Sequence, residues 1–116
     1  MRHYRALVTF HFVEPQSLDS ADAKNLLAAG FFVTLGVLSL RVGEATSYSL
    51  DRLEELAPAP GRVIAIEITE MELEALSSHV REAAEAATGE GVYYSTGLVY
   101  FPPERAKPWW KLWSRA

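Results

Sequence analysis

The chain has 116 residues, is 49% hydrophobic and 22% charged, carries a formal net charge of −4 and contains no cysteine. Its length suits one domain with a single core, and the lack of Cys excludes disulfides, thiolate nucleophiles and Cys-based zinc or iron–sulfur sites. Residues 1–101 hold seven basic against fourteen acidic side chains, a balance that argues against nonspecific binding to nucleic acid, which needs clustered Lys and Arg.

Residues 4–13 alternate as a first strand. Ala6, Val8, Phe10 and Phe12 form the more uniformly apolar face and are assigned to the core; Arg5, Leu7, Thr9, His11 and Val13 form the other. Pro15 ends the strand, because it has no N–H for a ladder. A short helix is expected over 20–29, with Ser17, Asp19 and Ser20 as competing N-caps and Gly30 as its stop.

Residues 31–42 read as a long strand whose apolar phase flips between Gly36 and Leu38. A bulge near Gly36 restores one buried face; the alternative is that both faces are covered, as by a second chain. Residues 43–61 are longer than a hairpin loop needs, and a small amphipathic helix over 50–57, capped by Ser49 and stopped by Pro58 and Pro60, fills them.

Residues 62–68 alternate again, with Ile64, Ile66 and Ile68 inward. Thr69 and Glu72 then have the spacing of a capping box. Leu73, Leu76, Val80, Ala83 or Ala84, and Ala87 recur at helical spacing behind it, and Gly89 is placed as the left-handed residue after the last turn. Residues 92–101 form the last strand, apolar in part on both faces, and Pro102 and Pro103 end it.

The order of elements is β-α-β-(short α)-β-α-β. As a pattern of elements it resembles the ferredoxin-like split βαβ fold. That resemblance implies an α+β domain over residues 1–101, with a four-stranded antiparallel sheet, its first and third strands central, and two helices on one face. It also implies an open sheet face presenting Arg5, Leu7, Thr9 and His11 from the first strand, and Tyr93, Ser95, Val99 and Phe101 from the last. Apolar and aromatic surface of that extent normally meets a partner. Stacking of two protomers into a homo-oligomer, a dimer above all, is the leading expectation. A ligand pocket trapped between two such stacked sheets is the sharper one, with His11 and Tyr93 as its candidate polar residues. An RNA-binding sheet is disfavoured by the acidic setting.

No catalytic motif is legible. His3, His11 and His79 show no metal-ligand spacing, and G-x-G-x-x-G, Walker and G-x-S-x-G patterns are all missing. The acidic residues Glu70, Glu72 and Glu74 fall where a helix dipole favours negative charge. Neither a cofactor nor a metal is expected.

Residues 102–116 are a separate, Trp-rich basic segment. Arg105, Lys107, Lys111 and Arg115 stand against Glu104 there, and Trp109, Trp110, Leu112 and Trp113 are its candidate interaction residues. Clustered Trp suits a contact with the domain's own sheet, a neighbouring protomer or another protein. No run of apolar residues is long enough to span a bilayer, and a bacterial cytoplasmic protein is the default expectation. The function expected from these features is a non-catalytic, homo-oligomeric interaction or regulatory module. The alternative is a small-molecule-binding protein or small enzyme of the dimeric α+β barrel type.

Overall fold

The first two strands form one long antiparallel hairpin. In the computed structural model, which describes residues 1–18 and 26–103, β1 (Arg2–Leu18) and β2 (Leu26–Ser39) pair without interruption from Arg2 opposite Ser39 to His11 opposite Gly30. The register then shifts, and Gln16 faces Ala28. β3 (Gly61–Met71) lies along the other edge of β1, from Phe12 opposite Gly61 to His3 opposite Met71. β4 (Gly91–Ser95) and β5 (Val99–Phe101) follow one another along the free edge of β2. Every pairing is antiparallel, and the strand order is β3-β1-β2-β4, with β5 also on β2. α1 (Val42–Leu56) joins β2 to β3; a single 3-10 turn (Leu73–Ala75) and α2 (Ser78–Ala86) join β3 to β4. The described residues thus form an α+β fold built on an antiparallel sheet with two α-helices.

The core lies between α1 and one face of the sheet. Tyr4, Ala6, Val8, Phe10 and Phe12 of β1 are buried there beside Phe31, Val33, Leu35 and Val37 of β2. The alternation read from residues 4–13 therefore selects the correct inner face. Phe10 and Phe31 stack at a centroid distance of 4.9 Å, and Phe12 packs against both rings. α1 closes this face with Ala45, Ser49 and Leu53, a stripe at i, i+4 and i+8. Small side chains at the first two positions let the helix lie close to the sheet.

Several expectations are corrected. β1 and β2, not the first and third strands, are central, so the sheet does not have the ferredoxin-like arrangement. The helix expected over 20–29 gives way to strand at residues 26–29, where β2 pairs with Gln16, Ser17 and Leu18; residues 20–25 lie outside the described residues. Ladder pairing with a neighbouring strand outweighs the weak helical preference of an Ala- and Leu-rich segment.

The two helices do not share a face. α1 packs on the core, whereas the 3-10 turn and α2 bring Ala75, Leu76, Ser77 and Val80 over the outer positions Arg5, Thr34 and Gly36. α1 is also much longer than expected. Ser49 does not cap it but is buried inside it, its hydroxyl donating to the Ala45 carbonyl at 2.8 Å. Thr69 is no N-cap either, because it sits in β3 opposite Arg5. α2 begins eight residues later than that cap implies, after Ser77, and Ala87 ends it. The glycine with positive φ is Gly91 (φ 134), at the start of β4, not Gly89.

Candidate functional site

Chemistry concentrates on the outer face of the sheet, where the odd residues of β1 meet the even residues of β2. The phase flip read in residues 31–42 has two physical sources. β2 itself runs on without a bulge against β1. Its pairing with β4 does slip: Val37 faces Val92, but Gly36 faces Tyr94, so Tyr93 is the extra residue, on β4 rather than on β2. In addition, both faces are covered at this end. Val37 is buried on the inner side and Leu38, only 7% exposed, on the outer side. The chain's own 3-10 turn and α2 lie over the neighbouring outer positions Arg5, Thr34 and Gly36.

The bulge drops the Tyr93 ring onto the bare backbone of Gly36; a Cβ there would stand 2.9 Å from Tyr93 Cε2. His3 meets the same ring edge to face, with centroids 5.8 Å apart and planes at 82°. The Tyr93 hydroxyl and His3 Nδ1 are both buried and have no hydrogen-bond partner among the described residues. Burial pushes the Tyr93 phenol above its ordinary pKa, because the charged form loses its water.

Next to this pair is a cavity of about 320 Å³ between sheet and helix. Its walls are apolar where Met71, Leu76 and Val80 contribute, and aromatic where Tyr93 and Tyr94 do. Among the described residues Arg5 is the sole charged one lining it. Arg5 faces Gly36 on one side and Thr69 on the other, and it makes no ion pair among the described residues. The far wall is pinned by Thr34 and Thr96. The Thr34 N–H donates to Thr96 Oγ1 at 2.9 Å, and the Thr96 N–H donates to the Thr34 carbonyl at 3.0 Å. These two bonds bridge the break between β4 and β5.

The other half of the outer face is open. Leu7 is 37% exposed, Phe32 47% and Val99 62%. Phe101 packs beside Phe32 with centroids 4.8 Å apart and covers Gly30. His11 lies in this half, exposed, with its Nδ1 donating to the Phe12 carbonyl at 3.1 Å and its ring 6.2 Å from that of Phe101.

The two candidate ligand residues are therefore not brought together. Tyr93 contacts His3, and His11 is eight positions further along β1, roughly 26 Å at about 3.3 Å per residue. Trp109, Trp110, Leu112 and Trp113 lie outside the described residues. Sequence reasoning missed His3 as the companion of Tyr93, although its odd position on β1 is the signal that puts it on the same face as Arg5. A second, wider depression of about 700 Å³ lies between the end of α1 and the start of β3, with Glu54 and Arg62 as its charged groups.

Among the described residues, no group of three or more His, Asp or Glu side chains converges to hold a metal ion, and no helix is long and apolar enough to cross a membrane. The chain matches no known family model, no curated protein and no solved structure.

Proposed function

We propose that the chain is a non-catalytic interaction module that works as a homodimer, joined through the open half of its sheet. The observation that carries this reading is the run of exposed apolar side chains Leu7, Phe32 and Val99, contributed by three adjacent strands on one face. Scattered surface apolars need no explanation, but a contiguous patch on one sheet face favours a partner. A second copy suits it because the patch is bordered by charges of both signs. Arg62 (opposite His11) and Glu67 (opposite Leu7) stand on β3 five residues apart. A two-fold axis brings each against the other's counterpart, which offsets the repulsion between two net-acidic chains.

The test is sedimentation of the full chain at micromolar concentration, with Phe32→Glu as the control. The wild type is expected to run as a dimer and Phe32→Glu as a folded monomer with an unchanged far-ultraviolet circular dichroism spectrum. A monomeric wild type overturns the proposal, and so does a Phe32→Glu variant that stays dimeric.

A further inference from the structure

The roofed half of the outer face has a different character from the open half, and it is complete within one chain. Four features converge on the cavity beside Tyr93. Its volume, about 320 Å³, lies at the lower end of the range for small-ligand pockets. Met71, Leu76 and Val80 on one side and the rings of Tyr93 and Tyr94 on the other give it apolar walls suited to a flat body. Among the described residues no carboxylate lines it, although residues 1–101 carry twice as many acidic as basic side chains. The one charged group among those residues is the cation Arg5, whose cross-strand neighbours Gly36 and Thr69 offer no counter-ion.

We infer that this cavity binds a small carboxylic acid with a flat apolar body, its carboxylate held by the Arg5 guanidinium and its body packed against the rings of Tyr93 and Tyr94. Arg5 presents paired N–H donors that match the two oxygens of a carboxylate. The apolar body replaces water against Met71, Leu76 and Val80. This site stands independently of the dimer proposed above, since Phe32 and Val99 do not line it.

The experiment is an NMR titration of the isotope-labelled full chain with sodium benzoate, and with benzyl alcohol as a neutral molecule of similar size. Benzoate is expected to give saturating shifts centred on the amides of Gly36, Leu76, Val80 and Tyr93. Benzyl alcohol is expected to bind at least about tenfold more weakly, because it lacks the charge that Arg5 recognises. Arg5→Met is expected to weaken benzoate about tenfold, with an otherwise preserved amide spectrum, and Arg5→Lys to recover only part of the loss. Phe32→Glu is expected to bind benzoate as the wild type does. The inference is overturned if benzoate fails to saturate by about 20 mM, a limit well above the millimolar affinity of a weak small ligand. It is overturned as well if the shifts centre on Leu50 and Ala57, if the alcohol binds equally well, or if Arg5→Met leaves the affinity unchanged.

Discussion

His3 and Tyr93 meet edge to face, ring centroids 5.8 Å apart, and each carries a polar atom that is out of water and unpartnered among the described residues. The contact closes the end of the outer face next to the first residues of β1. It also sets the protonation of Tyr93, because a phenol without water or a donor near its oxygen resists ionisation.

The pH dependence follows from the sign of that shift. Burial raises the folded-state pKa of Tyr93 above its ordinary value. The unfolded chain therefore loses this proton at a lower pH than the folded chain does. Stability tied to Tyr93 is fully present below the unfolded pKa of about 10 and falls as pH rises through the folded value. Tyrosinate absorbance at 295 nm should show late-titrating tyrosine in the wild type, reduced but not abolished in Tyr93→Phe, because burial and the nearby Glu90 carboxylate also raise Tyr48. Denaturant unfolding at pH 9 and pH 11 should show a smaller loss for Tyr93→Phe than for wild type. Equal losses in both proteins would rule this linkage out.

Gly36 makes the close approach of Tyr93 possible. Replacing a strand glycine by alanine ordinarily stabilises, since it removes freedom from the unfolded chain. Here the new Cβ would stand 2.9 Å from Tyr93 Cε2 and 3.0 Å from Cζ, and the ring cannot simply swing away because His3 packs against it. Gly36→Ala is therefore expected to destabilise by about 1–2 kcal/mol, the lower part of the range for overpacking. In a Tyr93→Ala background the same change should be neutral or stabilising, and chemical denaturation of all four proteins gives the coupling directly.

Thr69 separates two readings of one segment. Thr69 and Glu72 have capping-box spacing, yet Thr69 lies in β3 opposite Arg5. The local signal is genuine, but β3 runs on to Met71 alongside β1, and the ladder bonds gained there exceed what one cap supplies. Thr69→Val should hold stability within about 0.5 kcal/mol, because a β-branched residue suits a strand. An N-cap threonine would lose about 1 kcal/mol on the same change.

What the sequence makes legible divides along the same line. Inner-face alternation in β1 is a local property, and it identifies Ala6, Val8, Phe10 and Phe12 as core without any partner being known. Strand order is not local. Nothing in residues 26–29 says that they pair with residues 16–18, and a run rich in Ala and Leu suits a helix equally well. The site is legible to the same degree. Parity puts Arg5 and Tyr93 on the outer face, but their meeting around one cavity depends on a bulge in β4 and on a helix crossing that face. Neither leaves a periodic trace.

Ile64 and Ile66 give the sharpest test of register. By strict alternation both isoleucines point inward and should matter alike. The ladder between β1 and β3 slips between Thr9 and Phe10: Ala65 faces Thr9, but Val63 faces Phe10, leaving Ile64 as the extra residue. Ile64 is 52% exposed as a result, while Val63 and Ile66 pack against the core. One inserted residue is enough to reverse the facing of everything before it. Ile64→Ala should therefore lower stability by less than about 1 kcal/mol, in line with an exposed position. Ile66→Ala should lose about 2 kcal/mol or more, as truncation of a core-packed isoleucine does. Urea unfolding of the two variants compares them under one condition. Equal losses would mean that the alternation runs through Ile64 unbroken and that the bulge does not exist.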